Sequence, residues 1–338
     1  MSDKKLKTAV IGTGYFGEKH ADVLKELPNS DLVAVCDKNE ARTAAMAEKF
    51  KCKGYTDIET MLANEQIDAV SIVVSEQFHL SAVEPVAKAK KHILIEKPIA
   101  KTYEEARKIA RLAEENNIRL MVGHILKWDG RYQYTADAIK KGELGELISM
   151  YFKRSASNGG VKRLNGSVSM FHYMGIHDFE AMISFAEPAK PVKVYSQWVT
   201  KKNSEYNGQD TSFTTITFDN GIVACVQLCW ALPDGGSCYL VIHAEVVGTK
   251  AVSYIDIHNQ GLAIIRENKP VEYPELTYWP EYNGHVHGKL REELSHFVTN
   301  TLNGAPYAVK TENAVLAVRI IDACFESLKT GMPVNITY

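Results

Sequence analysis

The sequence predicts an α/β protein: an N-terminal doubly wound parallel sheet, then an α+β domain built on a large, mostly antiparallel sheet. Three observations carry that expectation. Five short apolar runs within the first 123 residues alternate with helical segments, the pattern of a parallel sheet covered on both faces. A glycine-rich turn, "GTGYFG", separates the first run from the first helix. After Gly123 the texture changes to longer runs of strand character, several of them divided by turn signals such as "DNG" and "PDGG", as antiparallel hairpins require.

Taken in order, "LKTAVIG" reads as a buried strand, "YFGEKHADVLKEL" as a helix, "DLVAVCD" as the second strand and "NEARTAAMAEKF" as the second helix. "DAVSIVV" and "HILIEKP" continue the strands, "HLSAVEPVAKAK" and "TYEEARKIARLAEENN" the helices, and "RLMVG" closes the series at Gly123. A helix, "RYQYTADAIKKGE", leads into the strand patterns "LISMYFKRSA", "VKVYSQWV", "TSFTTITF", "GIVACVQLCW", "CYLVIHAEVVG" and "AVSYIDI". Two helices, "KLREELSHFVTNTLNG" and "ENAVLAVRIIDACFESLKTG", complete it. The expected division is residues 1–123 and 124–338.

Composition narrows the function classes. A length of 338 residues suits two domains of ordinary size. With 39 basic against 41 acidic side chains and no basic block, nothing favours nucleic acid or a membrane surface as partner; a small neutral or weakly charged ligand fits better. No run approaches the roughly 20 apolar residues of a spanning helix, and the apolar run near the start is too short for a signal peptide, so a cytoplasmic location is expected. The six cysteines are scattered. Cys225 and Cys229 are close in sequence, but four strand steps separate them by roughly 13 Å. Reduced, buried thiols are therefore expected. His285 and His287 in "NGHVHG" have no evident third ligand, so no metal is expected.

The first chemical motif is the G-x-G-x-x-G spacing of Gly12, Gly14 and Gly17 between a strand and a helix. Glycines there permit a tight turn and close approach of backbone to a pyrophosphate, which the helix N-terminus then receives. The context predicts a Rossmann dinucleotide site spanning Gly12 to Gly17, with Tyr15 and Phe16 within the turn. Asp37 ends the second strand 20 residues beyond Gly17, where a carboxylate accepts from the adenosine ribose and repels a 2′-phosphate. NAD is expected over NADP. Residues 1–123 are thus read as the NAD-binding domain.

The second motif, Glu96-Lys97-Pro98, closes the apolar run "HILI". In an open parallel sheet ligands bind beyond the carboxyl ends of the strands, and Pro98 keeps Lys97 out of helical geometry. An ammonium there is placed to stabilise the alkoxide-like charge that develops as hydride leaves an alcohol.

The stretches "AVIGTGYFGEKHADVL", "AVCD", "KHILIEKPIAKTYEEARKI", "GIHDFEAM" and "DTSFTTITFDNGIVACVQLCW" together resemble the glucose-fructose oxidoreductase, inositol dehydrogenase and rhizopine-catabolism family (Gfo/Idh/MocA). The resemblance covers essentially the whole chain. It implies a two-domain NAD(P)-dependent oxidoreductase of sugars, polyols or their derivatives, with Lys97 and His177 near the reactive hydroxyl and the nicotinamide. His177 is the natural base for the alcohol proton. Tyr173, His124 and Arg154 are expected at the substrate, Lys153 beside Arg154 being a further candidate. Glu96 and Lys97 are expected at the cofactor, as are Val74, Ser75 and His79 of "VSEQFH", which occupies the place of the family's T-P-N-x-x-H loop but lacks its Pro and Asn.

Two departures stand out. Tyr173 occurs where many relatives carry Asp, and Glu180 replaces another Asp. A tyrosine gives His177 no fixed negative partner, although its hydroxyl can donate to or accept from a sugar oxygen. "GHILKWDGRY" is similar to the G-H-x-x-R-F-D-P-R-Y of relatives with an aromatic residue at this place, so the change is expected to mark a subgroup. Three functions follow: an NAD-dependent dehydrogenase of a sugar or polyol, a sugar- or dinucleotide-binding regulator of the same fold, and an enzyme that uses NAD transiently for a net non-redox reaction. Because both faces of "IVACVQLCW" are apolar, one is expected under helices and the other against a second subunit in a homodimer or homotetramer. Residues 124–338 are thus read as the substrate-binding and oligomerisation domain.

Overall fold

The computed structural model describes residues 5–234, 240–258, 261–269 and 271–338. Cys238 and the glycines of the expected "PDGG" turn lie outside the described residues. The chain forms two compact units, Met1–Trp128 with Thr277–Val315, and Asp129–Leu276 with Leu316–Tyr338.

The first unit holds a six-stranded parallel sheet: β1 (Leu6–Ile11), β2 (Ser30–Cys36), β3 (Lys53–Tyr55), β4 (Ala69–Ile72), β5 (His92–Glu96) and β6 (Leu120–Gly123). Their order is β3-β2-β1-β4-β5-β6. The order reverses direction at β1, the topological switch point at whose carboxyl edge such sheets bind ligands. The connecting helices are α1 (Tyr15–Glu26), α2 (Glu40–Phe50), α3 (Ile58–Asn64), α4 (His79–Lys88) and α5 (Tyr103–Glu115). Central strands carry apolar residues on both faces, among them Ala9, Val10, Val70, Ile72, Ile93, Leu94 and Ile95, all fully buried. β3 and α3 were not anticipated. They are short and mostly exposed, so they lack the periodicity that marks longer elements.

The second unit opens with α6 (Gly130–Lys140), β7 (Leu147–Ser157), α7 (Gly159–Leu164) and α8 (Ile176–Ala186). Strands β8 (Pro191–Val199), β9 (Thr211–Phe218), β10 (Val223–Leu232), β11 (Leu240–Gly248) and β12 (Val252–Ile257) follow. A small hairpin, β13 (Glu281–Tyr282) with β14 (His285–Val286), and a helix, α9 (Lys289–Asn303), belong to the first unit; α10 (Thr311–Thr330) and β15 (Val334–Asn335) close the chain. The seven-stranded sheet runs β12-β11-β7-β10-β9-β8-β15. It is antiparallel except where β10 lies parallel to β7. One face is packed: Phe152, Ala224, Val226, Leu228 and Ile216 are fully buried, and Phe152 meets the rings of Tyr132 and Phe185 at 6.3 and 6.2 Å.

The units differ from the expected single boundary after Gly123 in two respects: the first runs on to Trp128, and residues 277–315 pack with it. The reason is a set of specific contacts. Leu290, Leu294, Phe297 and Val298 form a buried stripe on α9. Glu26 of α1 accepts from Arg291 at 2.6 Å and from His285 at 2.8 Å, Lys19 pairs with Glu281 at 2.8 Å, and the guanidinium of Arg119 donates to the carbonyls of Asn300 and Ala305. No helix among the described residues is long and apolar enough to cross a membrane.

Phe152 sits with no exposure between the sheet and α8. Truncation to alanine is expected to cost about 3–5 kcal/mol, read as a lowered urea midpoint for the unfolding of the second unit.

Candidate functional site

Backbone crowding at the carboxyl edge of β1 builds the first part of the site. Gly12 has φ +100°, and a Cβ there would lie 2.2 Å from the carbonyl oxygen of Val73. A Cβ on Gly17 would lie 1.9 Å from the carbonyl oxygen of Gly12. Around Gly14, by contrast, a Cβ would meet nothing within 4 Å. Gly14 is the N-cap of α1 and supplies no side-chain cap to the helix's first amides. Two glycines therefore close the turn, while the third leaves open space in front of those N–H groups. That is the shape a dinucleotide pyrophosphate needs, so the residues present fit NAD. Tyr15 is 66 % exposed at the turn's outer side, whereas Phe16 packs edge-on against His20 and Trp279.

Asp37 follows β2, and its carboxylate is held from three directions. Thr13 N–H donates to Oδ2 at 2.8 Å, Asn39 N–H to Oδ1 at 2.8 Å, and Arg42 Nη2 reaches Oδ1 and Oδ2 at 3.1 and 3.3 Å. Burial raises its pKa, but the two amides and the guanidinium outweigh that and hold the carboxyl below its ordinary range. Arg42 is a residue that sequence reasoning missed. Its signal was its place at the start of the helix after Asp37.

Lys97 is half-buried just beyond β5, and the Lys97–Pro98 peptide is cis. Its own N–H donates to Glu96 Oε2 at 3.2 Å. The loop after β4 abuts the glycine turn, with Val74 Cγ1 at 3.1 Å from the Cβ position of Gly12, while Ser75 is exposed. His79 proves to be a buried staple. Its Nδ1 faces the carbonyl of Ile99 at 3.1 Å and its Nε2 that of Val74 at 3.0 Å, and burial lowers its pKa despite those two carbonyls. It ties the loop after β4 to the segment just past Lys97.

Two expected substrate contacts, His124 and Arg154, are buried. His124 is 1 % exposed with neither ring nitrogen hydrogen-bonded; burial first, then the charges of Lys127 and Lys97, bring its pKa down to about 3. It is a neutral buried ring. Arg154 is 3 % exposed and clamps Asp178 bidentately, Nε to Oδ2 at 2.8 Å and Nη2 to Oδ1 at 2.7 Å. Because β7 alternates its faces, Lys153 falls on the opposite side of the sheet from Arg154. Arg154 thus secures the residue beside His177.

In the second unit, His177 is half-buried in the first turn of α8. Tyr173 lies in the preceding turn, Phe171–Gly175, which is π-helical. The simple one-turn relation expected of an α-helix is therefore altered. Gly175 allows the close fit: a Cβ there would stand 2.8 Å from Leu228 and 3.0 Å from Phe179. The Tyr173 hydroxyl accepts from Arg163 Nη2 at 3.2 Å, and its ring lies 5.9 Å from that of Trp230. Arg163, on the six-residue α7, is a second residue the sequence reading missed. His285 and His287 are engaged with Glu26 and with the ring of Tyr282.

Comparison with known proteins bears on the fold and the cofactor class. The sequence model of an oxidoreductase family with an NAD-binding Rossmann fold (Gfo/Idh/MocA) matches residues 6–124, and the α/β C-terminal domain of the same family matches residues 136–336. The scyllo-inositol 2-dehydrogenase (NAD(+)) of Bacillus subtilis (strain 168) is 25 % identical over 99 % of this chain and 97 % of its own. A 2,7-anhydro-N-acetylneuraminate hydratase of Mediterraneibacter gnavus is 31 % identical over 76 % of this chain and 69 % of its own. Among solved structures, scyllo-inositol dehydrogenase of Lactobacillus casei with bound NAD(H) and scyllo-inositol superimposes with a TM-score of 0.83 at 18 % identity, covering 98 % of this chain and 99 % of that one. At that identity the likeness establishes the fold.

The Asp37–Arg42 pair yields an expected outcome. Asp37→Ser removes the carboxylate and releases a guanidinium for a 2′-phosphate. Loss of a charged hydrogen bond is expected to weaken NADH binding by roughly tenfold or more while NADPH binding strengthens, both read by fluorescence titration. Unchanged NADH affinity would remove Asp37 from the ribose site.

Proposed function

The chain belongs to the Gfo/Idh/MocA oxidoreductase family, and on that premise we propose that it transfers a hydride between NAD and a hydroxyl- or carbonyl-bearing carbon of a sugar, cyclic polyol or sugar derivative. The observation that carries this reading is Lys97 at the carboxyl end of β5, in the same unit and sheet as the open glycine turn and Asp37. NAD, when bound, supplies the ring that accepts the hydride. The Gly12–Gly17 turn holds the pyrophosphate and Asp37 the ribose. Lys97 hydrogen-bonds the reacting oxygen and stabilises the negative charge that grows on it. His177 takes the hydroxyl proton at an imidazole nitrogen. Tyr173, its hydroxyl already oriented by Arg163, binds a second oxygen of the substrate.

One observation favours a second reading, transient use of NAD in a net non-redox reaction: the relative at 31 % identity is named a hydratase. Net NADH formation separates the two. A regulator without turnover has less support, because it needs neither Lys97 nor His177.

A homo-oligomer formed through the second unit's open sheet face belongs to the same proposal. Cross-strand register puts Phe213, Val223 and Tyr254 on that face, and they are 51 %, 44 % and 60 % exposed. A second copy would cover them. Light scattering on the purified chain is expected to give a dimer or tetramer at micromolar concentration, and Phe213→Glu with Tyr254→Glu a smaller species; a wild-type monomer contradicts the oligomer.

For the reaction, NAD reduction is followed across inositols, aldoses, sugar acids and nucleotide sugars. Lys97→Met and His177→Ala are each expected to lower kcat by about 10²–10⁴ with NADH affinity largely retained. Intact turnover in either variant removes that residue from the assignment.

A further inference from the structure

Behind Lys97 lies a buried polar cluster that the reaction just described does not use. The helix α9 buries a stripe of Leu290, Leu294, Phe297 and Val298, and Glu293 stands in the middle of it with 0 % exposure. Neither oxygen of Glu293 has a hydrogen-bond partner among the described residues. It converges on a second carboxyl: a Cβ built on Gly123 would lie 2.6 Å from Glu96 Oε1 and 3.4 Å from Glu293 Oε1. Glu96 is itself 7 % exposed. Its Oε2 accepts the Lys97 amide at 3.2 Å, while its Oε1 has no hydrogen-bond partner and lies 3.4 Å from His20 Nε2. His20 is wholly buried, with its Nδ1 2.9 Å from Ser71 Oγ.

The other ionisable groups near this point leave the cluster short of positive charge. On α1, Lys19 is committed to Glu281 at 2.8 Å, and Glu18 and Asp22 pair with Lys49. Past β6, His124 is neutral, and Lys127 follows it in the turn that packs on α9. On α9 itself, the Lys289 amine sits 3.9 Å from the centre of the Tyr278 ring, and the pKa of His296, about one turn past Glu293, is lowered by burial and by Arg119. Beyond the sheet edge stands Lys97. Burial, then the charge of Glu96, push the Glu293 carboxyl well above its ordinary range. Two anions close together in a buried place are costly, whereas one proton turns an unpartnered acceptor into a donor.

We propose that Glu293 is carried as a neutral carboxylic acid whose O–H turns onto Oε1 of Glu96, and that through Glu96, which holds the Lys97 amide, Glu293 is a positioning residue for Lys97. The positioning part rests on the role given to Lys97 above; the protonation part stands apart from it. Folding then takes up a proton wherever an unfolded glutamate is ionised. Stability therefore falls as pH rises from the ordinary carboxylate range toward the folded value, and levels off beyond it.

Three measurements on the full chain test this. The infrared spectrum at neutral pH is expected to show the carbonyl band of a protonated carboxylic acid, shifted in D2O and missing from Glu293→Gln; no such band overturns the protonation. The melting temperature of Glu293→Gln relative to wild type is expected to increase between about pH 5 and pH 9, and a constant or shrinking difference counts against it equally. Hydrogen exchange at the Lys97 amide is expected to stay protected in Glu293→Gln, whose amide can donate to Glu96, and to quicken tenfold or more in Glu293→Leu. Equal protection in both variants ends the positioning role. Should Lys97→Met keep full turnover, the catalytic reading of Lys97 fails while the infrared and exchange results keep their meaning.

Discussion

The architecture of the first unit depends on one close approach: α1 lies so near the end of β1 that the Cα of Gly17 faces the carbonyl of Gly12 with no room for a side chain. That contact seats the helix. With α1 in place, His20, three residues on from Gly17, reaches Glu96 at the end of β5, and Glu96 in turn holds the Lys97 amide. The same seating leaves the first amides of α1 facing open space at Gly14. One steric condition thus connects the glycine turn at one end of the sheet edge to the lysine-bearing end, through the buried His20 and Glu96.

The second unit is ordered by a charge constraint. Arg154 and Asp178 are 3 % and 0 % exposed, and their bidentate geometry satisfies two guanidinium donors and both carboxylate oxygens. A buried pair of this kind adds little net stability, since desolvation offsets attraction, yet removing one partner strands the other at a cost of about 3–5 kcal/mol. Its effect is therefore on arrangement. It ties β7 to α8 at the residue next to His177, where the π-helical turn carrying Tyr173 ends. Arg154 and Lys153 are neighbours in sequence with opposite environments because a strand alternates its faces.

Much of this was legible in the residues. The strand and helix rhythm of the first 123 positions, the glycine turn with Asp37, and the antiparallel texture of the later strands all rest on local periodicity, which sequence displays directly. The side-chain roles that escaped depend on partners far along the chain. Nothing near Arg154 in sequence announces Asp178, and nothing near His79 announces the carbonyl of Ile99. Glu293 did leave a trace: in "KLREELSHF" it occupies a place in the apolar stripe that a solvated carboxylate would avoid. His20 left a similar one, on the buried side of α1 with Gly17, Ala21 and Leu24. Such polar intrusions into an apolar face mark a buried network without naming its other members.

Asp37 and Glu96 show how two carboxyl groups at the same edge of one sheet come to differ. Asp37 follows β2 among donors, two amides and a guanidinium, so its negative charge is stabilised. Glu96 ends β5 among groups that supply far less: one amide, an imidazole at 3.4 Å and a second carboxyl. Both are acids reached by a parallel strand, and only their surroundings separate them. Where donors converge, the acid is held as an anion; where they are missing, as around Glu293, burial and a neighbouring carboxyl push the acid well above its ordinary range, and the group within reach of Glu96 is the backbone of the next residue, Lys97.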